Sequence, residues 1–333
     1  MTPVHDDSYR ADVQAMRSAI TENTILLVGS APGFAHGVVD PISEIGSLAL
    51  EKDVLFHVDA CVGGIHLPYM RKLGYAIPEF DFTVPGVSSI SVDLHKYGYA
   101  AKGASTILYK DKELRRHQIF ACSRWTGYTV MNPVVMSSKT GGPMAAAWAV
   151  MNYLGEDGYM EIVREVMEAT KLVLDGIHRI DGIHVLGQPD MCMFAFSSSV
   201  QGVNVYRLAD RLKVKGWFLQ PQFERSNSPA NLHISMNRSS VPQAKAFLED
   251  FQETIEELKK EEKDEATKEF QVGLEKLSVK FDEETFFKLA ALAGVTGTKL
   301  PDKMEVINQI LEVLPYDVSE WMLCEYLNNL MVP

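Results

Sequence analysis

Short apolar runs alternate with helical patterns of apolar residues through the first half of the chain. Strands that alternate with helices in this way are typical of a mostly parallel sheet covered by helices. Pro41 starts one of the helices, where its missing N–H costs nothing. The predicted elements are, in chain order, helix 12–20, strand 24–28, helix 41–50, strands 54–59, 87–94 and 104–109, and helix 143–153.

A second group of elements begins near Gly158 and predicts a small α/β domain. Its elements are helix 160–180, strands 183–186 and 191–196, helix 204–213, strand 232–236 and helix 242–258. A charged run follows at 259–268, and three short helices are predicted at 283–293, 302–314 and 318–330. We therefore expect four segments: a partial large domain (1–157), a small α/β domain (158–258), a charged linker or helix (259–280) and a helical extension (281–333).

The helical extension carries more apolar side chains than three short exposed helices could leave in water. Isolated helices of this length gain their stability mainly from packing, so we expect 281–333 to pack on this chain or on a partner. A stripe of helical spacing in the last helix is expected to pack in the same way: Trp321, Cys324, Leu327 and Leu330. The other expected packing positions are Phe286, Phe287, Leu289, Ile307, Ile310, Leu311 and Leu314.

Composition excludes several classes of protein. The 333 residues carry a net charge of −12, so the chain lacks the electrostatic footprint for nucleic acid or for an anionic membrane surface. Its four cysteines are far apart in the sequence, and neither a metal site nor a disulfide framework is expected. No apolar run reaches the roughly 18 residues of a transmembrane helix. The first residues lack the features of a signal peptide, so the cytoplasm is the expected location.

Two charged side chains, Asp59 and Lys96, follow apolar runs that predict strands. Enzymes that use pyridoxal 5′-phosphate (PLP) need a lysine that forms a Schiff base with the cofactor aldehyde. They also need a carboxylate that keeps the pyridine nitrogen protonated. The carboxyl ends of strands in an α/β sheet place such groups rigidly. Taken singly, each residue has a simpler explanation, because an aspartate after a strand usually caps a turn.

The sequence around these residues resembles the group II PLP-dependent decarboxylase family. Within that family it is most similar to the branch of lyases that cleave phosphorylated sphingoid bases. The resemblance covers roughly residues 7–237 and implies a type I PLP fold and a homodimer with active sites at its interface. Its motifs are GSAPGFAHGVVDPI at 29–42, HVDACVGG at 57–64, SVDLHKYGYAAKG at 91–103 and GEDGY at 155–159.

The resemblance gives a role to each residue of the expected cofactor site. Lys96 resembles the Schiff-base lysine, and Asp59 resembles the partner of the pyridinium nitrogen. His95 resembles the histidine that contacts the cofactor phosphate. The remaining expected cofactor contacts are Ser30, Gly141 and Gly142, although the two glycines could also simply start a helix.

Two lysines are expected to bind the phosphate of the substrate. Lys102 resembles the family's phosphate-binding lysine, although an ordinary surface lysine is the simpler explanation. Residues 137–142 align with a Ser-Arg-Pro-Gly stretch of the family, and Lys139 stands where arginine is usual. A lysine supplies a point charge there instead of a bidentate fork. His66 is expected in the core or at an interface.

The resemblance implies a carbon–carbon lyase that cleaves a phosphorylated sphingoid base to a fatty aldehyde and phosphoethanolamine by retro-aldol chemistry. An amino-acid decarboxylase is the first alternative, because group II relatives use the same lysine and aspartate. Lys102 and Lys139 favour the lyase, since a simple amino acid has no phosphate.

A second alternative follows from two family features that lie upstream of the matched region. They are a Gly-Thr-rich loop for the cofactor phosphate and a histidine that stacks on the ring. We find neither, so the chain is also interpreted as a fragment, one half of a split enzyme or a non-catalytic homologue. Its partner would be a second copy or a chain that supplies the N-terminal part. Residues after about 260 show no resemblance that we recognise.

Overall fold

A computed structural model describes residues 4–135, 138–225, 227–261, 283–292, 294–295 and 299–331. None of its described helices is long and apolar enough to cross a membrane. The helices are α1 (Val13–Ala19), α2 (Ile42–Lys52), α3 (Gly63–Lys72), α4 (Lys112–Arg116), α5 (Gly142–His178), α6 (Val205–Val214), α7 (Ala244–Lys260), α8 (Glu283–Leu292), α9 (Glu305–Val313) and α10 (Tyr316–Leu330). The strands are β1 (Leu26–Ser30), β2 (Leu55–Asp59), β3 (Ser89–Val92), β4 (Thr106–Tyr109), β5 (Phe120–Cys122), β6 (Val130–Asn132), β7 (Ile183–Val185), β8 (Met193–Ser198), β9 (Gln220–Gln222) and β10 (Asn231–Ser235).

The chain divides into two compact units. The first comprises Met1–Leu172, Leu186–Phe194 and Ser235–Pro242, and the second comprises Val173–Val185, Ala195–Ile234 and Gln243–Pro333. The segment boundaries that we expect at 157, 258 and 280 stay predictions.

The first unit is built on a sheet of strand order β1-β2-β3-β4. Strands β1, β2 and β3 are parallel and β4 is antiparallel to β3, which confirms the prediction of a mostly parallel sheet. Helices α2 and α3 lie against one face. A Cβ on Gly29 of β1 would lie 2.9 Å from Ile42 of α2, and one on Gly64 of α3 would lie 2.7 Å from Val92 of β3. The buried residues of β1, β2 and β3 on this face are all apolar: Leu27, Phe56, Val58, Ile90 and Val92.

The opposite face of this sheet, here called the open face, keeps large apolar side chains in contact with solvent. Leu26 and Val28 of β1 are 44% and 49% exposed, and Leu55 of β2 is 47% exposed. The strand register places polar residues of β2 and β3 on the same face: His57, Asp59, Ser89 and Ser91. Among the residues that the structure describes, the part of this face formed by β1 and the start of β2 is therefore left uncovered.

The sequence did not predict three strands, and each has features that hide it. Strands β5 and β6 are three residues each and form a separate hairpin, too short for a period-2 pattern. Strand β9 contains Pro221, which argues against a strand except at a sheet edge. It lies at the edge of the second sheet, whose order is β7-β8-β10-β9. The two helices predicted at 143–153 and 160–180 form one run, α5, which is broken by a non-helical Gly155.

The C-terminal helices share a small apolar core, which confirms that most of the expected positions pack. Leu311 and Trp321 lie against this core partly buried. Its buried residues are Phe286, Ala290, Ile307, Ile310, Leu314, Val318 and Met322. Two expectations are wrong: Phe287 is 46% exposed, and the stripe of Cys324, Leu327 and Leu330 faces solvent. Helix α10 instead turns Val318 and Met322, one helical turn apart, toward the core. The side chain of Leu289 lies outside the described residues.

Two carboxylates form hydrogen bonds that connect helix α9 to other parts of the second unit. Asp210 of α6 accepts hydrogen bonds from the backbone N–H groups of Met304 (3.0 Å) and Glu305 (2.8 Å), at the start of α9. Near the other end of α9, Glu312 accepts from the hydroxyl of Tyr206 (2.6 Å) and the N–H of Glu224 (2.9 Å).

Replacing Asp210 with alanine is expected to loosen helix α9. The first backbone N–H groups of a helix have no intrahelical acceptor, and losing a capping side chain typically costs about 1 kcal/mol. Hydrogen exchange of the amides in α9 should therefore become faster in this variant. Asp210→Asn keeps one acceptor oxygen and should show a smaller change. Equal exchange in the wild type and in both variants would contradict this role for Asp210.

Candidate active site

Three polar side chains meet where the parallel strands of the first unit end. The register pairs Ser30, the last residue of β1, with Asp59, the last residue of β2. Asp59 is in turn paired with Ser91 of β3. Carboxyl ends of parallel strands meet at one edge of a sheet, which is where ligands bind in open α/β folds.

The carboxylate of Asp59 is held by two donors. Its Oδ1 accepts from the N–H of Cys61 (3.0 Å) and from the hydroxyl of Ser91 (2.9 Å). Ser91 also lies 3.2 Å from the His57 ring, whose other nitrogen contacts Ser89 at 2.8 Å. Burial alone would raise the pKa of Asp59, but the hydrogen bonds from Cys61 and Ser91 and the nearby His57 outweigh it and lower this pKa. The strand end therefore presents a carboxylate that stays ionised at neutral pH.

Lys96 lies in the turn that follows β3 and points at the same group of residues. Its Nζ lies 3.0 Å from Sγ of Cys61 and 3.1 Å from Oδ2 of Asp93. Cys61 thus touches both candidates, Asp59 through its backbone N–H and Lys96 through its sulfur. Burial alone would lower the pKa of Lys96, but the contacts with Cys61 and Asp93 raise it. The structure therefore places the predicted lysine and aspartate in one site.

His95 is fixed beside Lys96 by its ring nitrogens. Nδ1 lies 2.7 Å from the carbonyl oxygen of Ala104, and a carbonyl only accepts, so Nδ1 carries the proton. Nε2 then lies 3.8 Å from Oδ2 of Asp93. The contact of His95 with a cofactor phosphate stays a prediction.

The expected phosphate-binding residues lie in two exposed segments. Lys102 lies in a turn that is packed beside the start of α5, because a Cβ on the next residue, Gly103, would lie 3.7 Å from Pro143. Gly141 and Gly142 immediately precede Pro143, so this turn and the glycines are neighbours. Lys139 is exposed three residues before Gly142. Within the described part of the chain, no hydrogen bond or ion pair joins these four residues to Asp59 or Lys96, and their roles stay predictions.

A cavity of about 300 Å³ opens beside Lys96. Two of its lining residues, Ser235 and Asn237, could not be predicted from the sequence, because they are far from Lys96 in the chain. The structure joins them through the hydroxyl of Tyr97, which donates to the carbonyl oxygen of Met236 at 2.9 Å. The lining is mixed apolar and polar and consists of Phe34, Val62, Lys96, Tyr97, Tyr99, Met193, Ser235 and Asn237.

The ring of His66 packs edge-on against Tyr97, one of the residues that line this cavity. The two ring centroids are 5.1 Å apart. His66 is 1% exposed, which confirms the prediction of a core position, and its Nε2 has no hydrogen-bond partner among the described residues. Burial lowers the pKa of His66 from 6.5 to about 3. The folded protein therefore keeps this imidazole neutral.

The buried His66 should make stability depend on pH. Below pH 6.5 the unfolded chain binds a proton at this position that the folded chain does not, so the free energy of unfolding falls by about 1.4 kcal/mol per pH unit. Between pH 7 and pH 5 the His66→Leu variant should lose about 2 kcal/mol less than the wild type. Urea unfolding at both pH values measures this difference. His178→Leu, at an exposed histidine, is the control, and the same pH dependence in both variants would exclude the effect.

The residues present fit PLP. An ionised carboxylate at a strand end, a lysine amine in contact with the same cysteine and an adjoining cavity are the donor set that this cofactor needs. The cavity volume is at the lower end of the usual range for small-molecule sites.

A sequence profile described as "Pyridoxal-dependent decarboxylase conserved domain" matches residues 3–199, which include Asp59, Lys96 and the strands that carry them. The chain belongs to this family. A second profile, described as "Pyridoxal-dependent enzyme, C-terminal putative HTH domain", matches residues 266–329. From the sequence alone we recognise no resemblance in that segment, and this match shows what the C-terminal helices are similar to.

Named relatives of the chain support its membership of this family. The chain is 46% identical over 254 residues to sphingosine-1-phosphate lyase of Arabidopsis thaliana, covering 76% of this chain and 46% of the relative. A probable L-tyrosine/L-aspartate decarboxylase of Methanothermobacter thermautotrophicus is 36% identical, covering 64% and 57%. The solved sphingosine-1-phosphate lyase of Burkholderia pseudomallei superposes with a TM-score of 0.73 at 35% identity, covering 78% of this chain and 58% of that structure.

These matches confirm the type I PLP fold and PLP as the cofactor of the family. The chain spans about half the length of the curated lyases that it matches.

Proposed function

We propose that the protein is a PLP-dependent lyase that cleaves a phosphorylated sphingoid base to a fatty aldehyde and phosphoethanolamine. One observation carries this proposal: Asp59 and Lys96 meet at Cys61, beside a cavity, in a chain that is 46% identical to a sphingosine-1-phosphate lyase. This activity is the one named for the relatives. The chain matches them over about half their length, so the activity is proposed for the whole enzyme.

The site residues divide the work of such a reaction. Bound PLP would supply a ring that accepts electrons when a bond to the substrate carbon breaks. Lys96 would hold the cofactor through its amine. Asp59, ionised by its two hydrogen-bond donors, would keep a proton on the pyridine nitrogen. Cys61 contacts both residues and therefore links the side chains of Asp59 and Lys96 within one site.

The remaining residues would bind the substrate. Phe34, Val62 and Met193 give the cavity an apolar side that suits a hydrocarbon chain. Lys102 and Lys139 would bind the substrate phosphate, which is a second reason to favour the lyase over an amino-acid decarboxylase. Their exposure leaves both ammonium groups free to meet an anion from solvent.

The proposal is tested by supplying PLP with one of two substrate classes. We expect fatty aldehyde from a phosphorylated sphingoid base and no carbon dioxide from L-tyrosine or L-aspartate. The Lys96→Ala variant should release neither product. Carbon dioxide without aldehyde would instead establish a decarboxylase, as the decarboxylase relative suggests. Neither product, together with no PLP binding, would favour the non-catalytic alternative.

We also propose that the active form contains a further polypeptide segment that covers the open face of the first sheet. Leu26, Val28 and Leu55 are apolar and about half exposed there, and the match to the Arabidopsis lyase covers only 46% of that relative. A second copy of this chain or a separate chain could supply the cover. Light scattering of the protein alone would show a dimer in the first case, and Val28→Glu should then dissociate it. A monomer at all concentrations would exclude a second copy of this chain as the cover.

A nucleic-acid partner is not part of this proposal. Residues 283–331, which carry most of the second profile match, contain three lysines, no arginine and eight acidic residues. An acidic helical segment repels a phosphate backbone. The cytoplasmic location stays a prediction from the sequence.

A further inference from the structure

Asp93 stands at the centre of the contacts around Lys96. Its Oδ2 lies 3.1 Å from Nζ of Lys96 and 3.8 Å from Nε2 of His95. Its Oδ1 accepts a hydrogen bond from the hydroxyl of Ser105. The side chain is 16% exposed, whereas that of Lys96 is 35% exposed. Asp93 therefore presents a fixed, mostly buried carboxylate to a more accessible amine.

The backbone around Asp93 explains why the carboxylate is held in place. Asp93 directly follows strand β3, and its N–H donates to the carbonyl oxygen of Cys61 at 3.2 Å. The N–H of Lys96 donates to the carbonyl oxygen of Asp93 at 3.1 Å and closes a tight turn. Both hydrogen bonds join backbone groups of this chain, so the turn brings the two side chains together without a contribution from a ligand.

The charged groups around the Lys96 amine show which neighbour stabilises its protonated form. Asp93 is the one carboxylate that forms an ion pair with Lys96 among the described residues. Asp59 reaches the amine only through Cys61, and the phenols of Tyr97 and Tyr99 line the same cavity. An opposite charge this close favours the charged form of a lysine, and Asp93 and Cys61 together outweigh the effect of burial.

We infer that Asp93 is a positioning residue that holds Lys96 as an ammonium whenever its amine is free. The role rests on the proposed function, because it concerns the lysine that would carry the cofactor. Condensation of this lysine with an aldehyde needs the neutral amine: the ammonium first gives a proton to solvent, a carbon–nitrogen bond forms, and the carbonyl oxygen leaves as water. Asp93 would slow that step at neutral pH and keep the released lysine ready as a proton donor.

The first measurement needs no cofactor. Competitive acetylation of the cofactor-free protein over a pH series, followed by mass spectrometry of the Lys96 peptide, gives the pH at which half of the amine is reactive. Removing an opposite charge at this distance should lower that midpoint by about one pH unit in Asp93→Asn. Asp53→Asn, at an exposed aspartate on the end of α2, should leave it unchanged. An unchanged or higher midpoint in Asp93→Asn would overturn the inference.

Two further measurements test whether the charge of Asp93, and not only its shape, controls Lys96. They also distinguish a failure of this inference from a failure of the proposed function. Asp93→Glu keeps the charge and should bring the midpoint back toward the wild-type value; a midpoint like that of Asp93→Asn would overturn the inference. Borohydride trapping of added PLP at pH 7 should be up to about tenfold faster in Asp93→Asn, since more of its Lys96 is neutral. If PLP attaches to no variant while the acetylation midpoint still shifts, the proposed function fails and the charge effect of Asp93 stands.

Discussion

The Asp59→Asn variant is expected to lose lyase activity while it still binds PLP. Asparagine is close in size and can accept the hydrogen bonds from Cys61 and Ser91, but it carries no charge to keep a pyridine nitrogen protonated. Removing an electrostatic contact that acts mainly in the transition state typically costs on the order of 100-fold or more in rate. Aldehyde release under saturating PLP measures this loss.

The control for this variant is Asp53→Asn, which removes an exposed aspartate before the start of β2, at the other end of that strand from Asp59, and should keep full activity. The absorbance of the bound cofactor should remain in Asp59→Asn, because Lys96 is unchanged. Activity within a few-fold of the wild type would show that Asp59 is not the partner of the pyridine nitrogen.

The Gly37→Ala variant is expected to show the largest loss of stability from a single methyl group. Gly37 has a φ of +71°, and a Cβ there would lie 1.9 Å from the carbonyl oxygen of Met193. The backbone at Gly37 is held by hydrogen bonds, including one from the N–H of Asp190 to the carbonyl oxygen of Gly37 (2.9 Å). The strained conformation and the clash together should cost more than about 3 kcal/mol. Urea unfolding measures this difference.

Gly74→Ala separates these two causes. Gly74 also has a positive φ, +90°, but a Cβ there would meet nothing within 4 Å. This variant should lose only the conformational cost, about 1–2 kcal/mol. A Gly37→Ala protein as stable as Gly74→Ala would mean that the loop can move away from Met193, and the cavity beside Met193 would then be less rigid than the structure indicates.

The meeting of Asp59 and Lys96 could be predicted from the sequence because Asp59 ends one strand, Lys96 follows the next, and both lie in motifs that resemble the family. Strand ends are local features, and the parallel register that brings Asp59 beside Ser30 and Ser91 follows from the alternation of strands and helices. The rest of the site depends on contacts between distant parts of the chain. Nothing in the sequence shows that Tyr97 would bond to Met236 and so bring Ser235 and Asn237 to Lys96.

Two errors have physical causes that the sequence does not reveal. Helix α10 has apolar residues on more than one side, so the stripe through Leu327 and the pair Val318 and Met322 fit a helical period equally well. Only the position of the neighbouring helices decides that Val318 and Met322 are buried. Strand β9 was missed because Pro221 disfavours a strand, whereas the edge of a sheet tolerates it.

Peptide mapping after borohydride reduction tests most directly that Lys96 and Asp59 form a PLP site. The protein would be incubated with PLP, reduced, digested and analysed by mass spectrometry. We expect one dominant modified peptide, which carries the cofactor on Lys96, and no such peptide in Lys96→Ala. Modification spread evenly over exposed lysines such as Lys102 and Lys139, or a pattern that Lys96→Ala leaves unchanged, would contradict it.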